Sequence, residues 1–392
     1  MQHLAFGYTE NTFLAGVRHA SYARRVLAMS TGGAIVGVGW WLQRRHLPAD
    51  VSVGYALANP QRAVPVPQTL VDCVLQIVAV GFGASLGREG APRQLGAAGG
   101  AFLAARLDLS LAQRRTVMAC GAGAGLAAVY NVPLGGAVFT MEILLGSVRM
   151  RELGPALAAS GIATVIAWPV LSDRATYVIP TATLTPSLLA WAVVTAPLAG
   201  AVGVAFVRLM RAAGTHLPNG WRLSVTVFAV FTALGALAIP YPELLGNGKG
   251  AAGLAFDAAV SLPVAAALVL LKPLATAACL RAGAKGGLLT PALATGALFG
   301  VATARVWSDV FGHLDVGACA LIGAAAVLAT TQRAPLTAIV LVVEFTHSGE
   351  GLLAPVVLAV AGASYTASVI EHLLQRRPDP AGTRRAADDW VL

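Results

Sequence analysis

The sequence predicts an all-α protein that crosses a membrane many times. Of its 392 residues, 57% are hydrophobic and only 11% are charged, whereas soluble domains carry about 25% charged residues. A soluble fold built from this chain would have too little polar surface to cover itself, which disfavours a large soluble helical enzyme. Apolar segments of helical length also recur along almost the whole chain, as in a multi-pass membrane protein.

The apolar segments follow one another with short polar breaks between them. They lie at about 26–42, 66–86, 95–107, 116–129, 133–147, 154–171, 186–212, 222–239, 258–280, 291–308, 317–330, 335–346 and 352–374. Several are shorter than the roughly 20 residues that a helix needs to cross the hydrocarbon core. Short apolar helices interrupted by glycine and proline are typical of broken helices around a site inside the membrane.

Three regions follow from this pattern: a cytoplasmic N-terminal segment at 1–25, a membrane transport domain at 26–374 and a polar cytoplasmic tail at 375–392. The net charge of +9 is concentrated at the ends of apolar segments and at both termini. The positive-inside rule explains such clusters, so membrane lipid is the expected surrounding and no nucleic-acid partner is expected. The predicted location is the plasma (inner) membrane.

An internal repeat divides the membrane domain into halves at about 26–185 and 186–374. Residues 133–144 read PLGGAVFTMEIL and residues 335–346 read PLTAIVLVVEFT, so that the proline, the leucine and the glutamate recur at one spacing. Repeats in membrane transporters commonly meet at a central ion site. The residues alone leave open whether the halves are inverted or parallel.

The candidate functional site is the segment at 87–92, which reads GREGAP. A charge at membrane depth costs at least a few kcal/mol, so Arg88 and Glu89 are functional candidates. The flanking glycines, including Gly90, let the backbone offer its N–H groups to a small ligand.

A second break, at 286–291, reads GGLLTP and also precedes a helix. Helix N-termini with free N–H groups bind anions. A carboxylate at such a place competes with the anion and can leave when protonated, which makes Glu89 a gate, a proton carrier or both. Arg88 either attracts anions or is held in a structural ion pair.

These motifs resemble those of the CLC family of chloride channels and anion/proton antiporters. The GREG sequence with Gln94 resembles the family's GREGP-x-x-Q signature, and residues 286–291 resemble its GGxFxP segment. Residues 131–136 with Glu142 resemble the NAPLAG…E stretch, and residues 333–337 with Glu344 resemble the RAPLTG…E stretch. The four motifs stand in the family's order and cover about residues 30 to 372.

The resemblance implies the CLC-type fold, which has two inverted repeats with broken and re-entrant helices, and a homodimer in which each subunit has its own pore. It implies that Glu89 is the gating glutamate and that the backbone N–H groups of Leu288 and Leu289 contact a central anion. Tyr365 matches the family's central tyrosine. The implied function is transport of chloride or similar small anions. The chain would be a divergent prokaryotic-type member without cytoplasmic regulatory domains.

One departure from the family pattern concerns anion preference. Residues 47–51 stand where the family has GSGIP, which puts Pro48 in the place of an anion-contacting serine. A shifted alignment would give that role to Ser52. With Pro48 at the site we expect a weakened preference for chloride over nitrate.

A second departure concerns protons. Ile143 replaces the second of two successive glutamates, the inner proton acceptor of coupled members, and leaves Glu142 as a possible inner proton path. This favours uncoupled or weakly coupled conduction. The alternative is an anion/proton antiporter, including nitrate- or fluoride-preferring variants. No motif of an intramembrane enzyme, a metal site or a cofactor site is present in the sequence, so neither catalysis nor a cofactor is expected.

Overall fold

The computed structural model describes residues 1–9, 12–48, 51–62, 64–171, 173, 176–177, 183–346 and 351–375. Its regular elements within these residues are helices, so the predicted all-α class is confirmed. The first half contains α1 (Gln2–Phe6), α2 (Phe13–His19), α3 (Tyr22–His46), α4 (Val53–Ala58), α5 (Val66–Gly81), α6 (Gly90–Arg106), α7 (Leu111–Tyr130), α8 (Pro133–Phe139), a π-helical turn (Thr140–Leu145) and α9 (Met150–Leu171).

The second half begins with a helix of 29 residues and ends with one of 23. It contains α10 (Pro186–Gly214), α11 (Trp221–Leu237), a 3-10 turn (Pro242–Leu244), α12 (Lys249–Phe256), α13 (Leu262–Arg281), α14 (Leu289–Phe311), α15 (Val316–Gln332), α16 (Pro335–Thr346) and α17 (Leu353–Gln375). Each apolar segment of the sequence contains a helix. The short helices α1, α2, α4 and α12 were not predicted, because none of them has the length of an apolar run.

Six described helices are long and apolar enough to cross a membrane, namely α3, α9, α10, α13, α14 and α17. The other apolar helices are shorter, as the broken-helix interpretation requires. Helix α3 begins four residues before the apolar segment at 26, because Ser21 caps it by accepting the N–H of Arg24. The predicted tail lies, from residue 376 onward, outside the described residues.

The two halves pack their helices in the same order. Contacts of α5 with α6, of α6 with α7 and of α7 with α9 recur as contacts of α13 with α14, of α14 with α15 and of α15 with α17. The short helices follow the same rule, since α4 contacts α6 and α7 while α12 contacts α14 and α15. This supports the predicted repeat halves, whose limits stay a prediction.

Glycines bring the central helix pair of each half into close contact. Gly96 of α6 faces Gly121 of α7, and Gly296 of α14 faces Gly323 of α15. In each pair, a methyl group on one glycine would collide with the backbone of the other. Small residues allow this approach, which is a common source of helix association in membranes.

The α6–α7 contact gives a stability test. A Cβ atom on Gly100 would stand 2.6 Å from the carbonyl oxygen of Val117, whereas a Cβ atom on Gly99 would meet nothing within 4 Å. We expect Gly100→Val to destabilise the protein by about 1–3 kcal/mol through overpacking, and Gly99→Val to have little effect. Thermal unfolding in detergent measures both variants. Equal melting temperatures for the two would contradict this account of the interface.

Candidate functional site

The two glycine-rich breaks meet in the structure, as their resemblance in sequence suggested. The N–H of Gly87 donates to the carbonyl of Gly287 at 2.6 Å, and the N–H of Gly287 donates back at 2.9 Å. Helix α6 begins just after the first break and α14 just after the second. Neither helix has a side-chain cap of its own. Two helix N-termini whose first N–H groups have no partner within their own helix therefore lie next to each other.

The carboxylate of Glu89 lies at this convergence and is fully buried. Its Oε1 accepts the backbone N–H of Leu289 at 2.8 Å. Its Oε2 accepts the hydroxyl of Tyr130 at 2.7 Å and that of Thr290 at 3.3 Å. The Tyr130 and Thr290 hydroxyls are also hydrogen-bonded to each other. The carboxylate thus sits where a small anion would accept the same hydrogen bonds.

Glycine is required on both sides of this carboxylate. A Cβ atom built on Gly87 or on Gly287 would overlap the Glu89 side chain. The glycines therefore do more than free the backbone, because their missing side chains form the space that Glu89 occupies.

A cavity of about 640 Å³ leads to this point. Its lining includes Gly90, Gly287, Leu288 and Leu289, and three of these are predicted anion-binding residues. Its described lining contains no Asp or Glu. It does contain five basic residues, which are Arg44, Arg62, Arg93, Arg211 and Lys285.

The basic lining favours anions in the cavity. Lys285 stands next to the second glycine break and pairs with the buried carboxylate of Asp72 at 3.1 Å. That carboxylate also accepts the indole N–H of Trp40 at 3.0 Å. A one-sided cationic lining with low-dielectric walls concentrates small anions at its inner end.

The structure favours Ser52 over Pro48 at the cavity. Pro48 is exposed and is not part of the lining, so the prediction that it contacts the anion is not supported. Ser52 lines the cavity and caps α4 by accepting the N–H of Tyr55 at 3.1 Å. This bond uses the serine oxygen and leaves the hydroxyl proton for donation. The expected weakening of chloride preference rested on Pro48 and loses its basis.

Tyr365 is not brought into the site. It lies on α17 with 73% of its surface exposed, because it faces outward from the helix that carries it. The tyrosine that contacts the carboxylate is Tyr130, the last residue of α7. The match of Tyr365 to a central tyrosine is therefore corrected.

Arg88 supports Tyr130 and does not line the cavity. Its guanidinium donates to the carbonyl of Val129 at 3.0 Å and lies 5.1 Å from the centre of the Tyr130 ring. This is a cation–π arrangement. Of the two roles considered for Arg88, the geometry favours the structural one. The Val129 carbonyl and the Tyr130 ring hold the guanidinium, in place of the predicted ion pair.

Glu142 and Glu344 cap each other's helices. Glu142 accepts the N–H groups of Leu336 and Thr337 at the start of α16, at 3.1 and 2.6 Å. Glu344 accepts the N–H groups of Leu134 and Gly135 at the start of α8, at 2.9 and 2.5 Å. Both oxygens of Glu142 are thus bound to a helix N-terminus, and Glu142 is absent from the cavity lining. Its suggested place in an inner proton path has no support from this position.

Tyr130 and Thr290 are the functional candidates that sequence reasoning missed. Thr290 lies inside the second glycine break, and Tyr130 forms the polar break before α8. Both positions were visible as parts of motifs. Their hydroxyls could not be assigned to Glu89, because the contacts join residues 201 and 41 positions apart.

Comparison with known proteins identifies the family. The sequence model described as "Voltage gated chloride channel" matches residues 32–368. A putative chloride channel protein, ClcB-like, from Ralstonia nicotianae is 31% identical over 93% of this chain and 89% of its own length.

Solved structures agree in fold. A slow cyanobacterial Cl⁻/H⁺ antiporter aligns with a TM-score of 0.76 at 23% identity, covering 90% of this chain and 87% of the other. A CLC-type fluoride/proton antiporter aligns with a TM-score of 0.65 at 21% identity, covering 92% of this chain and 98% of the other.

The fold and the site define a multi-pass membrane protein of the anion-transporting class. The chain belongs to the voltage-gated chloride channel family, also called CLC. The predicted CLC-type architecture of inverted repeats with broken helices is confirmed. The predicted location in the plasma (inner) membrane is confirmed by family membership and by the apolar helices.

Proposed function

We propose that this chain conducts chloride or similar small anions through a pore gated by Glu89. One observation carries the proposal. The buried Glu89 carboxylate accepts a hydrogen bond from the N–H of Leu289, where two helix N-termini lie beside a basic cavity. A carboxylate held by the same donors as an anion acts as a tethered competitor for the site.

The gate works through the charge of Glu89. While the side chain is ionised, charge-assisted hydrogen bonds hold it against the N–H of Leu289 and close the path. Protonation removes the charge, weakens these bonds and lets the side chain leave. The donors then become free for an anion arriving from the cationic cavity.

Substitution of Glu89 tests the gate. Glu89→Ala removes the competitor, and Glu89→Gln imitates its protonated form. We expect both variants to conduct anions at neutral pH about tenfold faster than wild type, since hydrogen bonds to a charged group that hold the gate shut are lost. Their flux should also no longer depend on pH. Anion efflux from proteoliposomes measured across a pH series shows this.

A matched control is Glu371→Gln. Glu371 pairs with Arg333 at the protein surface, where 31% and 52% of the two side chains are exposed, and the pair lies outside the cavity lining. Its pH profile should follow wild type. If both Glu89 variants keep the wild-type pH dependence, Glu89 is not the gate.

Coupling to protons is the finer part of the proposal. Ile143 cannot carry a proton, and Glu142 is bound to the start of α16. Both observations support uncoupled or weakly coupled conduction. Proton antiport is the second candidate, because the similar solved structures are described as Cl⁻/H⁺ and fluoride/proton antiporters.

Proton uptake driven by an anion gradient separates these two candidates. We expect liposomes that contain the protein to move anions without a stoichiometric proton flux, and Glu142→Gln to behave as wild type in this assay. Both are recorded with a pH electrode and an anion electrode together. Stoichiometric proton pumping by the wild type would establish the antiporter. Loss of that pumping in Glu142→Gln would place Glu142 in the proton path.

We propose further that two copies of the chain form a homodimer. Of the six candidate spans, α9 and α17 are covered least by the rest of the protein. Ile166 and Val170 of α9 are 72% and 86% exposed. These two helices pack on α8 and α16, which carry the reciprocal glutamate caps. The surface therefore offers a second copy a rigid apolar face.

The dimer is tested by the mass of the protein in detergent. We expect light scattering to give two chains per particle once bound detergent is subtracted. A single chain per particle over the whole concentration range would contradict the proposal.

A further inference from the structure

Two hydroxyl groups converge on one oxygen of the gate. The Tyr130 hydroxyl stands 2.7 Å from Oε2 of Glu89, and that of Thr290 stands 3.3 Å from the same oxygen. The two hydroxyls also contact each other, so the three oxygens form a closed triangle. The other carboxylate oxygen is bound by the backbone. Within the described residues, the hydrogen-bond partners of Oε2 are side chains, so substitutions can remove them one at a time.

The packing around Tyr130 holds its hydroxyl in place independently of Glu89. The ring lies under the guanidinium of Arg88 and packs edge-on against the ring of Phe345, with centroids 5.4 Å apart. The Tyr130 carbonyl accepts the hydroxyl of Thr176 at 2.9 Å. The side chain is 4% exposed. Because these contacts fix the ring, the carboxylate meets a preorganised donor.

The triangle favours the ionised form of Glu89. When the carboxylate is charged, the two hydroxyl protons serve three oxygens and at least one of them points at the charge. Such charge-assisted bonds are roughly twice as strong as neutral ones. When Glu89 is protonated, its own proton enters the triangle and the charge assistance is lost.

We propose that Tyr130 and Thr290 form a hydroxyl latch that holds the ionised Glu89 in the closed position and lowers the pH at which the gate opens. This inference rests on the proposed role of Glu89 as the gate. Tyr130 and Thr290 act as positioning residues, since they act on the anion path through Glu89. The first lies at the end of α7 in one half, and the second lies in the first turn of α14 in the other.

Other charged and titratable groups also face the gate. Arg88 and Arg93 lie on its own segment, and Tyr177, in the loop after α9, is buried close enough to interact with it electrostatically. On the cavity side, Gln76 of α5 packs on Gly90 and leads to the Asp72–Lys285 pair. Removing a hydroxyl from the latch leaves all of these groups in place. A shift in the pH profile then reports the latch alone.

The test removes one hydroxyl at a time. In Tyr130→Phe and in Thr290→Val the side-chain volume is kept while a donor to Glu89 is lost. We expect the pH midpoint of anion efflux to rise by about one unit in Tyr130→Phe, with about tenfold more flux at neutral pH, as for the loss of one bond to a charged group. Thr290→Val should shift the midpoint in the same direction by less, because its bond is longer.

Two further variants show that the effect belongs to the hydroxyls. Thr290→Ser returns a hydroxyl and should bring the midpoint back toward wild type from its position in Thr290→Val. Tyr365→Phe, which removes an exposed hydroxyl on α17, should leave the midpoint unchanged. If Tyr130→Phe does not give a monodisperse protein, the Thr290→Val and Thr290→Ser pair carries the same comparison.

A Glu89→Ala background separates the latch from the gate itself. Without the carboxylate there is nothing to hold, so Tyr130→Phe should change neither flux nor pH profile in that background. The latch is overturned if Tyr130→Phe and Thr290→Val keep the wild-type midpoint while Glu89→Ala abolishes pH dependence. It is also overturned if the Tyr130→Phe effect persists undiminished in the Glu89→Ala background. If Glu89→Ala itself keeps the pH dependence, the gate proposal fails first.

Discussion

The burial of one carboxylate at the meeting point of two helix N-termini is the interaction on which the rest of this structure depends. A fully buried carboxyl group such as that of Glu89 is tolerated only where hydrogen-bond partners replace its lost hydration. The start of α14 supplies a backbone N–H, and α7 and α14 supply hydroxyls. Bringing these donors together requires glycine at Gly87 and Gly287, because any side chain there would fill the space of the carboxylate. The glycines of the two breaks follow from that requirement.

Helix N-termini bind glutamate side chains in two ways in the described structure. At α8 and α16, a glutamate from the opposite half caps the helix and offsets the positive charge of its N-terminus. The N-terminus of α14 binds Glu89 through the N–H of Leu289, and α6 begins beside it. The same electrostatic property of a helix N-terminus is therefore used in two ways. Glu142 and Glu344 link the two halves, whereas Glu89 occupies the place that the proposed mechanism assigns to an anion. This difference explains why only one of the three glutamates is suited to gating.

The cavity adds a long-range field to this local chemistry. Its described lining is basic, and an ion pair with Asp72 holds Lys285 directly before the second glycine break. In the proposed mechanism, this field attracts anions into the cavity. The backbone and hydroxyl donors around Glu89 then determine whether the carboxylate or an anion is bound. Ser52 places a further hydroxyl in the lining at the start of α4. In the proposed mechanism, the attraction of anions and the gating therefore rest on different groups, which substitutions can change separately.

The sequence by itself determined the membrane class, the repeat and the two glycine breaks. It also identified Glu89 as the carboxylate within the first break. These features are local or periodic, so they can be recognised without knowing which helices touch. Only the tertiary structure decided which side chains meet Glu89. Tyr130 and Thr290 lie far from it in the chain and reach it only through the packing of α7 and α14. Tyr365 was misplaced for the same reason: an apolar helix with a tyrosine does not reveal which face it turns to its neighbours. Which of Pro48 and Ser52 lies at the cavity depends on where the chain enters α4. Ser52 caps this helix, and that contact places Ser52 at the cavity.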